Sequence, residues 1–258
     1  GAISKFLDRL QPAALVLVES ELWPGWMDAL GRRGTPAVLL DGSLSARSSA
    51  QWSRWDGLAN PIRSALKTVT VSSDAQLRRF EALGFGSVTT ALPLKLASDP
   101  LAVDSTLADR WLEWRDDRAL LVLANVHPSE IAALQSVLDE QGERCQIIIA
   151  PRHPDKVERF EAAFGEASDR LTYWTSFGTL GTLFALGGTV VMGGGFDPAI
   201  GSHNPLEALS AGCVTITGPH DGKQAALIDL LVSKGALRRW PAWSEEVAGL
   251  SLIEELVA

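Results

Sequence analysis

The sequence predicts an α/β fold built on parallel sheets, and three observations lead to that prediction. The chain has 258 residues, of which 46% are apolar and 21% charged, enough to bury the core of one large domain or two modest ones. Short β-branched runs alternate with longer amphipathic stretches, a pattern typical of βα units. Most of these runs are apolar on both faces of the pleat, as strands are when helices cover both sides of their sheet.

Eight segments have the length and composition of strands. They are Leu15–Val18, Ala37–Leu40, Val69–Ser72, Val88–Thr90, Leu120–Leu123, Gln146–Ala150, Val190–Met192 and Val214–Thr217. Helices are predicted between them. Ser73 is expected to cap one helix, Ser129 to cap a second over Glu130 to Gln141, and Pro154 to open a third.

A domain boundary is predicted in the stretch Lys95–Asp104, which contains Pro and Asp and has little periodicity. Residues 1–97 then form a partial Rossmann-like domain with three or four strands, few for a free-standing doubly wound domain. Residues 98–258 form a second Rossmann-like domain, which holds four or five strands and every glycine-rich turn.

Charge and cysteine content narrow the class of protein. Asp and Glu outnumber Lys and Arg by 31 to 23, so the formal net charge is −8, whereas nucleic-acid-binding proteins normally have a basic excess. Cys145 and Cys213 support neither a disulfide framework nor a metal cluster, which favours a reducing cytoplasmic setting. No run approaches the roughly 18 apolar residues of a membrane helix. The chain begins Gly-Ala-Ile without a signal pattern, so it is interpreted as a soluble fragment.

All four histidines follow predicted strands of the second domain. His127, His153, His203 and His220 each come shortly after such a strand. Because ligands bind outside the carboxyl ends of strands in open α/β sheets, the four imidazoles are expected to line one cleft.

A glycine-rich loop leads from a buried strand into a helix. Gly193–Gly195 let the backbone approach a phosphate closely, and the helix start at Asn204 and Pro205 attracts negative charge. Glu207 either reaches a ribose hydroxyl or serves as a capping-box residue of its own helix. His203 and Glu207 are spaced like metal ligands, but no third ligand is evident, so no metal is expected.

Other polar segments also follow strands. Arg152 offers a planar fork of donors suited to a phosphate or a carboxylate. The segment Gly218-Pro219-His220 repeats the strand-to-polar pattern, although an ordinary tight turn explains it equally well.

Two carboxylates stand at the end of the first strand. Glu19 and Glu21 are close enough for one of them to act as a proton acceptor or donor. The alternative is that Ser20 caps the next helix and Glu21 favours its positive end. Ser43 and Arg47, after the second strand, are candidates for holding an anion.

Five motifs, in this order, resemble those of the 3-deoxy-D-manno-octulosonic acid (Kdo) transferases of lipopolysaccharide assembly. They are Val18-Glu19-Ser20-Glu21-Leu22-Trp23-Pro24, Ser43-Leu44-Ser45-Ala46-Arg47-Ser48, Pro151-Arg152-His153-Pro154, His203-Asn204-Pro205-Leu206-Glu207 and Gly218-Pro219-His220. The resemblance spans nearly the whole chain. It implies a GT-B-like fold, in which two Rossmann-like domains face a cleft, the first being incomplete here.

The resemblance also implies an activity and a set of site residues. Such enzymes transfer Kdo from CMP-Kdo to a lipid A precursor at the cytoplasmic face of the bacterial inner membrane, without a metal or another cofactor. Glu19 or Glu21 is similar in position to the essential acid of the family. The residues expected to bind the nucleotide sugar are Arg152, His153, Gly193, Gly194, Gly195, Ser202, His203, Asn204, Glu207 and His220. Those expected to bind the acceptor or an anion are Ser43, Arg47 and His127.

The sequence departs from the family pattern at several points. A run that reads Ser/Thr-His-x-Gly-Glu in the family appears as Asn125-Val126-His127-Pro128-Ser129-Glu130, which weakens the case for Asn125 and Ser129 as phosphate contacts. The family's second key acid, its presumed general base, lies upstream of this sequence, so the chain is interpreted as truncated at its start. It is interpreted as truncated at its end as well, because it stops soon after Gly218-Pro219-His220, before the closing helices of the family. Two alternatives remain open: a GT-B enzyme that uses a UDP-sugar, and an inactive nucleotide-sugar-binding fragment.

Overall fold

A computed structural model describes residues 1–54, 62–141 and 144–240. The chain divides into two compact units, Gly1–Leu94 and Lys95–Ala258. This division falls slightly before the boundary predicted between residues 97 and 98.

The first unit is a parallel sheet with helices between its strands. Its elements are α1 (Ala2–Leu10), β1 (Leu15–Val18), α2 (Pro24–Arg33), β2 (Ala37–Leu40), α3 (Ala46–Arg54), β3 (Leu66–Val71), α4 (Asp74–Ala82) and β4 (Val88–Thr90). The strand order is β1-β2-β3-β4, and every pair is parallel. The core of this unit includes Met27, Leu30 and Phe80, which are fully buried.

The second unit is a larger parallel sheet. Its elements are α5 (Ser105–Trp114), β5 (Ala119–Val126), α6 (Ile131–Gln141), β6 (Cys145–Pro151), α7 (Val157–Phe164), β7 (Leu171–Tyr173), α8 (Leu180–Ala185), β8 (Thr189–Met192), α9 (Leu206–Ser210), β9 (Val214–Thr217), α10 (Ala225–Ser233) and β10 (Arg238–Arg239). The strand order is β10-β9-β8-β5-β6-β7, and all the pairs are parallel.

This order is that of a doubly wound dinucleotide-binding fold. The chain moves outward from β5 through β6 to β7, then returns to the other side of β5 and continues through β8, β9 and β10. The direction of winding reverses between β5 and β8, and a crevice opens there at the carboxyl ends of the strands. The topology therefore predicts the ligand site at this edge of the sheet.

The sequence of the central strand β5 is apolar without alternation because the strand is buried on both faces of the sheet. Leu120 and Val122 pack into the core on one face of the sheet, while Leu121 and Leu123 pack into the core on the other. The α/β fold class and its parallel sheets are thus confirmed.

The strand predictions are confirmed in position, and the sequence missed two short strands. The missed strands are β7, with three residues, and β10, with two. The Ser73 cap is confirmed, because its Oγ accepts a hydrogen bond from the Gln76 N–H. The Ser129 cap is wrong. A short 3-10 turn, Pro128–Glu130, follows His127 and leads directly into α6.

Within the described residues, none of the helices has the length and apolar character needed to cross a membrane.

Two helical glycines differ in the space around them, and this difference gives a test of the fold. A Cβ on Gly181, in α8, would lie 2.3 Å from the Ala102 carbonyl oxygen, whereas one on Gly25, in α2, would make an ordinary 3.5 Å contact with Ile3. We expect Gly181→Ala to lower the free energy of unfolding by about 1–3 kcal/mol through overpacking. Gly25→Ala is the matched control and should change it by less than about 0.5 kcal/mol. Urea titration of both variants measures the difference, and equal midpoints would contradict this packing.

Candidate functional site

Three of the four histidines meet at the carboxyl edge of the six-stranded sheet. The Nε2 atoms of His127 and His203 are 2.8 Å apart, and their rings stack with centroids 5.1 Å apart. The ring of His153 approaches that of His127 edge-on, at 5.9 Å. His220 is exposed and contributes its backbone, donating to the Gly195 carbonyl oxygen and accepting from the Ser202 N–H.

The short contact between His127 and His203 requires one nitrogen to donate and the other to accept. Burial lowers the pKa of His203, and together with the charges of the nearby His127 and Arg152 it brings this pKa to about 4. Burial also lowers the pKa of His127, although the charge of Glu130 opposes that effect. A neutral pair of rings is therefore the favoured state near pH 7, and it fits the observed contact.

The glycine-rich loop after β8 is packed tightly against neighbouring backbone. A Cβ on Gly193 would lie 2.5 Å from the Asn125 carbonyl oxygen. The Gly193 N–H donates to the Ala124 carbonyl oxygen at 2.7 Å, and the Gly194 N–H donates to the Glu130 carboxylate at 2.9 Å. The prediction that amides of this loop hold a phosphate is therefore wrong for Gly193 and Gly194, because those amides already have acceptors inside the protein.

The next loops along the edge show the same close approach. A Cβ on Gly195 would lie 2.8 Å from the Gly218 nitrogen, and one on Gly201 would lie 2.4 Å from the Gly222 Cα. Ser202 is buried, and its Oγ accepts from the hydroxyl of Thr217 at the end of β9. These residues hold the loops together at the edge, and Gly195 and Ser202 stay predictions as ligand contacts.

A buried carboxylate that sequence analysis did not single out lies at the centre of this arrangement. The side chain of Glu130 is 1% exposed and accepts hydrogen bonds from the backbone N–H groups of His127, Gly194 and Phe196, at 2.8, 2.9 and 3.0 Å. Its place three residues after His127 is the position of a capping-box acid, and that spacing was the available signal.

A cavity of about 200 Å³ opens at the same edge, and Arg152 and Pro154, the two neighbours of His153 in sequence, are among the residues that line it. The exposed Arg152 and the half-buried Glu207 line it on the polar side. Trp174, Phe177 and Leu101 form an apolar wall, in which Phe177 is 79% exposed. Sequence analysis missed Trp174 and Phe177 because they follow the short strand β7, which has little pattern of its own.

Asn204 and Glu207 come together at the start of α9. The Asn204 Oδ1 accepts from the Leu206 N–H at 3.2 Å, and its Nδ2 donates to the Glu207 carboxylate at 3.5 Å. Burial raises the pKa of Glu207, while the hydrogen bond from Asn204 and the charges of Arg152 and Lys95 oppose that effect. The Glu207 side chain thus reaches the cavity, as the ribose interpretation requires.

The first unit brings two of its four predicted residues together. Glu19, at the end of β1, has a φ of 60°, and its carbonyl oxygen accepts from the Ser43 N–H at 3.3 Å. The Glu21 carboxylate instead accepts from the indole N–H of Trp23, and Arg47 is exposed at the start of α3. The alternative role of Ser20 as a helix cap is wrong, since α2 begins at Pro24 directly after Trp23.

In the described ranges, no group of three or more His, Cys, Asp or Glu side chains is arranged to hold a metal ion.

Comparison with known proteins agrees with the fold and with the motifs. Residues 1–98 match the family model described as 3-deoxy-D-manno-octulosonic-acid transferase (kdotransferase). The Kdo transferase of Chlamydophila psittaci is 26% identical over 88% of this chain and 57% of its own length. A UDP-GlcNAc 2-epimerase from Neisseria meningitidis, solved with UDP-GlcNAc, aligns over 99% of this chain and 70% of its own, with a TM-score of 0.57 and 11% identity. A glycosyltransferase involved in lipopolysaccharide biosynthesis aligns over 98% and 70%, with a TM-score of 0.50 and 14% identity.

Two parallel α/β units that align with such proteins over nearly the whole chain place this protein in the GT-B-like fold class. Within that class, the predicted resemblance to the Kdo transferase family is confirmed by the family model and by the curated relatives of that name. The chain spans between 53 and 60% of the length of these curated relatives.

The half-buried His203 ring makes the stability of the protein depend on pH. A histidine whose pKa falls from 6.5 to about 4 on folding binds fewer protons in the folded state. Acidification through this window therefore favours unfolding, by about 1–2 kcal/mol for a half-buried ring. We expect His203→Gln to reduce this loss, as measured by urea midpoints at several pH values. His220→Gln, which changes an exposed histidine, is the control. Equal pH slopes for wild type and His203→Gln would contradict the assignment.

Proposed function

We propose that this protein takes part in the transfer of Kdo from CMP-Kdo to a hydroxyl of a lipid A precursor. The second unit binds the donor, and the first unit supplies the acceptor side. The observation that carries the proposal is the convergence of Arg152 with His127, His153 and His203 beside a cavity at the switch point of the sheet.

The chemistry of this edge suits the phosphate of a nucleoside monophosphate. Arg152 offers a charged fork of donors, and its charge acts on both His203 and Glu207, which places it beside the histidines and the cavity. Neutral imidazoles add hydrogen-bond donors. Together they would stabilise the negative charge that develops on CMP as it leaves.

The cavity has the composition expected of a nucleoside site. The exposed ring of Phe177 and the Trp174 wall offer apolar surface to a flat base. Glu207, on the polar side, is placed to accept a hydrogen bond from a ribose hydroxyl.

The reaction is a displacement at the anomeric carbon of Kdo. The bond from that carbon to the phosphate oxygen breaks and CMP departs with the electron pair, while the acceptor oxygen forms the new bond. A carboxylate of the first unit takes the proton of the acceptor hydroxyl. Glu19 is favoured over Glu21 because its left-handed backbone is of the strained kind that clusters at active sites.

We place the protein at the cytoplasmic face of the inner membrane, because its acceptor is a lipid. Arg32 and Arg33 form an adjacent basic pair on α2, but they are not favoured for contact with a lipid surface because each is already paired with a carboxylate. Arg32 pairs with Asp28, and Arg33 pairs with Asp8.

A nucleotide panel tests donor binding. We expect calorimetry to detect CMP binding that is tighter than UDP binding, and Arg152→Ala to weaken it about tenfold or more through loss of a charged hydrogen bond. Arg118→Ala is the matched control. Arg118 precedes β5 at the opposite edge of the sheet and pairs with Asp116. Tighter binding of UDP would favour the UDP-sugar alternative.

Transfer of labelled Kdo from CMP-Kdo tests the carboxylate assignment. We expect Glu19→Gln to lower kcat by about 10²- to 10⁴-fold, because the acceptor proton loses its base, with little change in CMP affinity. Glu21→Gln is the control and should retain most activity. The reverse order of effects would assign the role to Glu21. Binding of CMP by the wild-type chain without turnover would favour the alternative of a binding fragment.

A further inference from the structure

We propose that Glu130 is a positioning residue, whose buried carboxylate sets the separation of His127 and His203. The inference rests on the proposed function for its effect on donor binding, while its effect on the two rings is independent of that function. Glu130 stands at the Glu of the family's Ser/Thr-His-x-Gly-Glu run, but its link to the separation of the two rings comes from the structure alone.

Glu130 joins backbone groups from two different loops. One oxygen, Oε2, accepts from both the His127 N–H and the Gly194 N–H, and the other, Oε1, accepts from the Phe196 N–H. His127 follows β5, while Gly194 and Phe196 follow β8. These two strands flank the switch point, so the carboxylate bridges the crevice at its origin.

The glycine loop after β8 is linked in turn to His203. The His203 N–H donates to the Gly193 carbonyl oxygen at 3.0 Å. A Cβ on Gly194 would lie 3.2 Å from the Cδ2 of the His203 ring, so the loop backbone also lies close to that ring. A shift of the glycine loop therefore carries His203 with it, whereas His127 stays with β5.

The arrangement requires a carboxylate as the acceptor at position 130. Three N–H donors converge on one side chain, and a carboxylate supplies two acceptor oxygens with about four lone-pair sites. A glutamine supplies one such oxygen, and its NH₂ group would face an N–H group across the other position. Glu130→Gln therefore removes at least one bridge while conserving the size of the side chain.

The fixed distance between the His127 and His203 rings determines how the two rings share a proton. The 2.8 Å contact between the two Nε2 atoms holds one proton between the rings, and Arg152, His153 and Asp197 are the other charged groups that act on His127. If the glycine loop moved, the rings would separate, and each would titrate by itself in a changed position relative to Arg152.

The experiment compares Glu130→Gln with Gln146→Ala. Gln146 is a matched control because it is also 1% exposed and also bonds to backbone groups, those of Trp114, Asp116 and Asp169. It lies at the start of β6, at the opposite edge of the same sheet. Three measurements are made on each protein: thermal midpoint, ¹⁵N NMR titration of the histidine rings without nucleotide, and calorimetry with CMP.

We expect the wild-type rings of His127 and His203 to show one donor and one acceptor nitrogen and a coupled titration. Glu130→Gln should uncouple the two rings and weaken CMP binding about tenfold or more. Gln146→Ala should lower the thermal midpoint without either change. Glu130→Asp, which keeps the charge on a shorter side chain, serves as the second variant if Glu130→Gln does not fold, and should also uncouple the rings.

The proposal is overturned if the glutamate variants leave the ring titrations as they are in Gln146→Ala. Failure of the wild-type chain to bind CMP would count against the proposed function alone, because the titrations without nucleotide still decide the role of Glu130. Uncoupled rings with unchanged CMP affinity would overturn the inferred effect on donor binding.

Discussion

The carboxyl edge of the six-stranded sheet depends on the contact of several loop backbones around one buried carboxylate. At a switch point the connections from neighbouring strands run in opposite directions, so nothing in the sheet itself holds their loops together. Glu130 joins the loops after β5 and β8 through three backbone N–H groups. Hydrogen bonds to a charged acceptor contribute about 1.5–3 kcal/mol each, which offsets the cost of removing the carboxylate from water. The glycines of the β8 loop are needed because a Cβ on Gly193 would overlap the backbone of Asn125.

Three strands end in the same unusual way. Glu19, Asp41 and Asn125, at the ends of β1, β2 and β5, have positive φ values of 60°, 52° and 57°. Such a conformation costs about 1–3 kcal/mol for a residue with a side chain, and it persists where the surroundings hold it. At Asp41 the surroundings are described: its N–H donates to the Thr70 hydroxyl, and its carboxylate accepts from the Leu94 N–H. In each unit, the strained residues therefore lie at the same strand ends as the polar side chains that we assign to the proposed site.

Sequence patterns predicted the strands that alternate with long helices, because burial on both faces leaves a continuous apolar run. They did not predict β7 and β10, which are too short for a pattern. The residues of the site likewise divide into those that the sequence pattern identified and those that it did not. Arg152 and the histidines could be recognised because they lie in the segments that follow apolar strands. Glu130 was not singled out, because two of its three partners, the N–H groups of Gly194 and Phe196, are distant in sequence. Phe177 could not be recognised either, because its place depends on a cavity formed by several loops. The glycines of the β8 loop were predicted to let a phosphate approach, whereas they let neighbouring protein backbone pack closely. Both situations require a residue without a Cβ, so the sequence does not distinguish them.

The charge of the site differs from that of the whole chain. The chain carries a formal net charge of −8, so long-range attraction would not bring the proposed anionic donor to it. Recognition of the donor's phosphate would then depend on short-range contacts, which we assign to the Arg152 guanidinium and to imidazoles that burial keeps neutral. A phosphate placed beside these rings would favour their protonated form, because an opposite charge nearby opposes the effect of burial. The lowered pKa of His203 thus describes the site before its ligand arrives, and binding of an anion would draw a proton toward the pair of rings that Glu130 holds in place.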